Sequence, residues 1–448
     1  MKKLFCCSIA AIFFCSIMFA ANSFAFHHEG VDWVYQGSSV AESDPHLKHF
    51  VWETARPPYG PFDTIALHRY VHQKHEWIGD PYSPAKDRRK VLFIIPGTWD
   101  RGQPKGSDPN ISENWFFAAN GYDVYSMEFR TGYIPNLAYA QFQEFGLGDA
   151  LKATADWTYG VFREDIKVCV DLVKGISRVH KLFLAGRSRG GMQMWMYAAK
   201  YWKQDLKGLI SLDGGGPYVL VWPAKQTSQK KFEANVAALK ANGPYQSEVS
   251  GYEAAQFAGA VPFAKTTVGG PLPPVAALTF PPGTPPDKAQ MNYVSDLIAY
   301  GAYYAWGAGM VTNYYKPYPD GAGETYMDRE VLVGIESNFT RYWPSIQTTE
   351  TNAMTYYADC PYLDYDDTAE VDLPIIFFAS EFGCTTMGAC FNPSSPVPPG
   401  ASVAARTAST DVTSIILTGF GHLDVYAGTH ALEMVKQPVL EWMNDRLK

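Results

Sequence analysis

Ser188 stands in Gly186-Arg187-Ser188-Arg189-Gly190, a spacing in which a serine hydroxyl can serve as a nucleophile. The hydroxyl is a weak nucleophile near neutral pH, so this chemistry calls for an adjacent base to take its proton and an acid to orient that base. The two glycines answer a steric need. A strand entering and a helix leaving a sharp turn nearly touch two residues before and two residues after the apex. With 38 glycines among 448 residues the pattern alone is weak, and a glycine-rich turn carrying an idle serine is the bland alternative.

The flanking segments supply the context. Lys181-Leu-Phe-Leu-Ala185 has extended, apolar preference, Met192 to Trp202 is helix-compatible, and Gly208-Leu-Ile-Ser-Leu212 is a second apolar run. Together they predict a strand–helix–strand unit with Ser188 at its first turn. Upstream, Lys90-Val-Leu-Phe-Ile-Ile95 has the continuous apolar character of a strand buried in a parallel sheet, and it ends in Pro96-Gly97-Thr98-Trp99. A helix over Ser112 to Asn120 stops at Gly121, a strand follows over Tyr122 to Phe129, and a long helical region runs from about Asp149 to Val179. Regular alternation stops after Asp213 and resumes at Leu373 to Ala379. A short strand (Ser414 to Leu417) and an amphipathic helix (about Thr429 to Leu447) then close the chain.

This arrangement resembles the α/β-hydrolase family. The resemblance covers residues about 85–215 and 370–448, and implies a mostly parallel central sheet flanked by helices. In that family a cap is commonly inserted after the sixth core strand, and residues 214–370 occupy that place. They hold a Pro/Gly-rich stretch (Val261 to Pro286), short helical patterns (Lys231 to Ala241 and Ser295 to Met310) and a concentration of aromatics from Tyr300 to Trp343. The implied organisation is a signal peptide over 1–25, a core over 26–213 and 371–448, and an aromatic-rich cap over 214–370.

The family's histidine loop is similar to Gly419-Phe-Gly-His422-Leu-Asp424, which falls just before the last helix and makes His422 the general base. Asp424 is too near His422 to be its acid and is assigned to bracing the loop. By position, the oxyanion hole falls to the backbone N–H groups of Thr98 and Arg189. The usual acid position, three residues beyond the small residue after the seventh strand, is Gly383 here, so the acid lies elsewhere. Asp213, at the end of the sixth strand, is preferred, and Glu381 is the alternative. Glu128 and Arg130 are assigned to loop scaffolding. The implied activity is hydrolysis of a lipophilic acyl or aryl ester, a small-molecule or lipid-like substrate, with no cofactor. Amide hydrolysis, acyl transfer and a non-catalytic binding role on the same fold are the other readings.

Met1 to Ala25 has the form of a secretory signal: Lys2 and Lys3, an apolar run from Leu4 to Ala20, and a Ser23-Phe24-Ala25 cleavage site. The run is short for a membrane span and has no stop-transfer segment, so export to the periplasm or medium without an anchor is expected. Net charge is −8 and becomes more negative once the two lysines leave, which argues against nucleic acid as partner. Cleavage leaves Cys169, Cys360, Cys384 and Cys390. Cys384 and Cys390 close a short loop suited to a disulfide, whereas Cys169 lies in a helical apolar pattern and is expected as a buried thiol. Phe26-His27-His28 has the look of a loose tail. His68, His72 and His75 lie on an alternating, strand-like segment, where His68 and His72 would stand about 13 Å apart, too far to share a metal.

Overall fold

A computed structural model describes residues 25–73, 80–97, 100–103, 108–135, 139–214, 229–242, 331, 343–347, 349–350, 368–380, 407–418 and 420–448. Its centre is a sheet ordered β1-β2-β3-β4-β6-β5-β7-β8-β9-β10. The strands are β1 (Ala25–His28), β2 (Val31–Val40), β3 (Leu47–Ala55), β4 (Thr64–His72), β5 (Val91–Ile95), β6 (Asp123–Glu128), β7 (Leu182–Arg187), β8 (Leu206–Leu212), β9 (Ile375–Ser380) and β10 (Val412–Leu417). From β6 to β10 every pairing is parallel, and β1 to β4 join that half as an antiparallel meander through β4 and β6. The crossing of β5 and β6 and the parallel run beyond them match the expectation of a mostly parallel sheet.

Alternation along β5 shows why this sheet needs helices on both faces. Val91, Phe93 and Ile95 enter one apolar cluster, Leu92 and Ile94 the other, and all five are buried. The first cluster is closed by α4 (Tyr159–Ser177), whose Phe162, Ile166, Cys169, Val170, Val173 and Ile176 recur at helical spacing. Thr158 caps that helix by accepting a hydrogen bond from Val161 N–H. Cys169 is the buried free thiol that its pattern predicts. The second cluster is closed by α1 (Glu113–Ala119) and α8 (Gln437–Asp445).

Several boundaries differ from the sequence-based expectation. The helical region expected from about Asp149 to Val179 is three pieces, α3 (Gly148–Ala153), a 3₁₀ turn over Thr154–Asp156 and α4, and a separate α2 (Tyr139–Glu144) precedes them. The closing helix stands where its pattern places it, as a π-turn over Leu432–Lys436 that leads directly into α8, and a separate short α7 (Asp424–Ala427) precedes it. Phe26-His27-His28 is no loose tail. It pairs with β2, and His28 Nε2 lies 2.9 Å from the carbonyl of Asp171 on α4. Within residues 214–370 the structure describes α6 (Gln229–Asn242), at the helix expected over Lys231 to Ala241, and short pieces that include 343–347 and 349–350. The Ser295–Met310 pattern, Cys360, Cys384, Cys390 and residues 1–24 of the signal segment lie outside the described residues. Among the described residues no helix is long and apolar enough to cross a membrane.

Candidate active site

Parallel registry brings the carboxyl ends of five strands, β5, β7, β8, β9 and β10, side by side. Gly186 pairs with Ile95 and with Ser211, Leu212 pairs with Phe378, and Ser380 pairs with Leu417. Ligand and catalytic groups gather at such ends in open α/β sheets, and Ser188, Asp213 and Ser380 all stand there.

Ser188 adopts φ 52° and ψ −125°, a conformation that an L-residue holds only under constraint, and it begins α5 (Arg189–Asp205). The constraint comes from the glycines. A Cβ on Gly186 would meet Gly190 O at 2.4 Å, and one on Gly190 would meet Ile95 O at 2.4 Å and Pro96 O at 2.5 Å. Backbone bonds fix the turn further: Ser188 N–H donates to Leu212 O (3.2 Å), and Gly191 N–H donates to Ser188 O (2.9 Å). Gly97, from the loop after β5, lies against the serine. A Cβ there would stand 3.0 Å from Ser188 Cβ and 3.7 Å from its Oγ.

Asp213 follows β8 and also carries a positive φ, 43°. Its N–H donates to Phe378 O at 2.9 Å, which turns the side chain across the end of the sheet. Oδ2 lies 2.5 Å from Nδ1 of His422 and accepts from the Ser380 hydroxyl at 2.6 Å, while Oδ1 accepts from the Ser380 N–H at 2.8 Å. His422 and Asp213 are both buried, at 2% and 3% exposure, so this pair is formed away from water. With Nδ1 facing a carboxylate, Nε2 is the imidazole nitrogen left to exchange a proton. The Tyr426 hydroxyl stands 3.2 Å from that Nε2 and also 3.2 Å from Leu212 O, to which it donates. Burial first, and then the charge of Asp213, pushes the Tyr426 hydroxyl well above its ordinary range, so it stays protonated.

Arg187, just before the serine, braces this corner. It pairs with Asp100 at 2.6 Å and with Glu113 at 2.9 Å, and its guanidinium lies 5.8 Å from the centre of the Tyr426 ring. Burial works against its charge, but the two carboxylates outweigh that and hold it above the ordinary value. Arg189, just after the serine, extends over Trp343 at 5.2 Å, and Trp343 packs on Phe129 and Phe162.

The structure thus brings Ser188, Asp213, His422 and the backbone of Arg189 to one corner. Thr98 and Glu381 lie outside the described residues. Asp424 braces the histidine loop, as assigned, by accepting from Gly421 N–H at 2.7 Å. Arg130 scaffolds its loop through Asp63 (2.5 Å) and Asp165 (2.7 Å). Among the described residues no cluster of three or more His, Cys, Asp or Glu could hold a metal. Ser380, Tyr426 and Arg187 have no assigned role in the sequence. Tyr426 left one signal there, its place four residues after His422, one helical turn on.

No family model and no curated protein matches the chain. Among solved structures it is similar to a candidate lipase from Sulfolobus solfataricus, at 23% identity and TM-score 0.60, over 94% of this chain and all of the other. Weaker likenesses include carboxylesterase CesB from Bacillus subtilis (13% identity, TM-score 0.39, 89% of this chain and 91% of that one). Another is a thioesterase domain from the curacin biosynthetic pathway (12%, 0.43, 94% and 99%). Strand order, the constrained serine turn and the first of these likenesses agree: the chain has the α/β-hydrolase fold.

Proposed function

We propose that the protein is an exported serine hydrolase that cleaves a carboxylic ester through an acyl-enzyme. The observation that carries this reading is the buried Asp213–His422 pair at the end of the sheet that also presents Ser188. In the proposed reaction Ser188 Oγ attacks the ester carbonyl carbon and His422 Nε2 takes the hydroxyl proton. The tetrahedral oxyanion is held by the N–H of Arg189 and, by position, that of Thr98. His422 returns the proton to the departing alkoxide as the carbon–oxygen bond breaks. Water then repeats the sequence on the acyl-serine and releases the acid. Asp213 keeps the proton of the neutral imidazole on Nδ1 and stabilises the imidazolium.

A lipophilic acyl or aryl ester is the proposed substrate class, supported by the aromatic-rich composition of residues 300–343 and by Trp343 under Arg189. Export rests on the charged, apolar and small-residue pattern of residues 1–25. Removal after Ala25 would leave Phe26, His27 and His28 in place and take one of the four paired residues of β1. The intact mass of protein from its native host should correspond to a chain beginning at Phe26.

The deciding experiment is fluorophosphonate labelling with peptide mapping, beside a p-nitrophenyl ester series from acetate to palmitate. Label on Ser188, lost together with hydrolysis in Ser188→Ala, is the expected result. Labelling that survives the substitution would remove Ser188 from the nucleophile's role.

A further inference from the structure

Beyond the serine corner, β2, β3 and β4 form the floor of a cavity of about 420 Å³ that Arg101, Gln103, Gly132 and Tyr133 also line. That volume falls within the range of small-molecule sites. None of Ser188, Asp213, Ser380, His422 or Tyr426 lines it.

The floor follows from register. Val51 stands opposite His68, His49 opposite Tyr70, Glu53 opposite Ala66, and Ala66 opposite Glu128, so one face of β3, β4 and β6 carries His49, Val51, Glu53, His68 and Glu128 together. Apolar residues would be the ordinary choice on a face buried this deeply. Here a polar chain runs through it instead. The Ser39 hydroxyl lies 3.3 Å from His49 Nδ1, and His49 Nε2 lies 3.0 Å from His68 Nδ1. The chain ends at His68 Nε2, a buried atom with no hydrogen-bond partner among the described residues. Glu128 Oε1 is a second such atom on the same lining, with Arg101 Nη1 3.6 Å away, while the other carboxyl oxygen accepts from Gly102 N–H at 3.1 Å. Buried polar atoms without partners are rare in folded proteins, and the His68 atom, beside a carboxylate oxygen held only by a long ion pair to Arg101, calls for a ligand that supplies one.

The chemistry of these groups narrows that ligand. Burial holds His49 and His68 below the ordinary imidazole range, so both rings are neutral at neutral pH. Two neutral imidazoles in series with a hydroxyl can be polarised in either direction. If Ser39 donates to His49, the chain ends in an N–H on His68 Nε2. If His49 donates to Ser39, it ends in a lone pair. Glu128 is pushed up to about 7 by burial, so its carboxyl too is found both protonated and ionised near neutrality. A hydroxyl group both donates and accepts, and so satisfies either state of each. Charge gives the same answer. Glu53 and Glu128 oppose an anion, and Arg101 opposes a cation.

We infer that this cavity is a second small-molecule site, taking a neutral, hydroxyl-rich compound of the polyol or sugar class. The loop that contributes Arg101 and Gln103 begins at Gly97, against Ser188, and carries Asp100, the partner of Arg187. Occupancy of the cavity and the geometry of the serine turn therefore share one segment of backbone.

The test is direct binding, which does not depend on any hydrolytic activity. Glycerol, myo-inositol and glucose are titrated into the full chain by saturation-transfer NMR and calorimetry, with acetate and methylammonium as charged comparators. At least one polyol should saturate with one-to-one stoichiometry, and neither charged probe should. Val51→Phe places a ring in the cavity from a half-buried strand position and should weaken polyol binding about tenfold or more, with thermal melting unchanged. If that variant melts early, Glu53→Gln and Ser39→Ala are titrated instead, and each should weaken binding. Absence of saturation by every polyol up to about 100 mM overturns the inference, as does binding of the charged probes at equal strength. Polyol binding that is unchanged in the cavity variants overturns it as well.

Discussion

Asp213 and Ser380 close the ends of neighbouring strands, and the serine gives the aspartate two hydrogen bonds, from its N–H at 2.8 Å and its hydroxyl at 2.6 Å. These two bonds aim the carboxylate at His422 Nδ1, 2.5 Å away. Asp213→Asn tests this relationship first. An asparagine oxygen in the place of Oδ1 can keep the bond from the Ser380 N–H, which leaves its NH₂ in the place of Oδ2, facing the Ser380 hydroxyl and the imidazole. Nδ1 must then accept, and the ring proton moves to Nε2, where it blocks deprotonation of Ser188. A folded variant with kcat lowered by about 10³ to 10⁴ is expected. Near-normal turnover in a folded Asp213→Asn enzyme would pass the role to another carboxylate, Glu381 first.

Ser380→Ala removes the hydroxyl and leaves the backbone donor. A hydrogen bond to a charged group is worth about 1.5–3 kcal/mol, so kcat should drop about tenfold to a hundredfold, well short of the loss at Asp213. Steady-state kinetics on one ester decide it. A loss equal to that of Asp213→Asn would mean that the hydroxyl alone sets the carboxylate's position.

How far this corner could be read from sequence depends on the distance over which each constraint acts. The serine turn was legible because its demand is local: the atoms that exclude a Cβ at Gly186 belong to Gly190 and Gly191. Strands β5, β7 and β8 were legible because burial on both faces leaves continuous apolar runs. The meander was legible only at β4. On β3 Lys48 and His49 are buried, and a buried polar residue erases the alternation that marks a strand. What sustains such a residue is far along the chain: Arg69 on β4 is held by Asp123 on β6 at 2.6 Å, a partner 54 residues away. Ser380 escaped notice for the same reason. It marks the position from which family spacing points to Gly383, yet its own partner is the aspartate ending the next strand.

Tyr426→Phe tests the group facing His422 Nε2. The tyrosine hydroxyl donates to Leu212 O and so offers its lone pair to Nε2, which favours a proton on that nitrogen. Without it the imidazolium that forms during attack loses a partner. kcat is expected to fall about tenfold, the equivalent of one modest hydrogen bond, with KM little changed. A purely structural tyrosine would lower the melting temperature and leave kcat of the folded enzyme where it was.

Glu350 gives a prediction on stability that is independent of catalysis. Its carboxyl is buried at 2% exposure and accepts from Tyr159 N–H at 2.7 Å, at the start of α4. Burial outweighs that bond and raises it from 4.5 to about 8. Between those two values the folded chain holds a proton that the unfolded chain has released. The stabilisation is therefore complete below about 4.5 and is lost as pH rises through about 8. Glu350→Gln keeps an acceptor for Tyr159 N–H and cannot ionise, so it removes this dependence. His49 and His68, held below their ordinary range, weaken the fold on the acid side, but they do so equally in both proteins and cancel in the difference. Melting temperatures of the two should lie close together near pH 5. They should diverge from about pH 5 to about pH 8 and then hold a constant gap, with the glutamine variant the more stable. A difference that stays constant across that interval would show that Glu350 keeps the same charge state throughout.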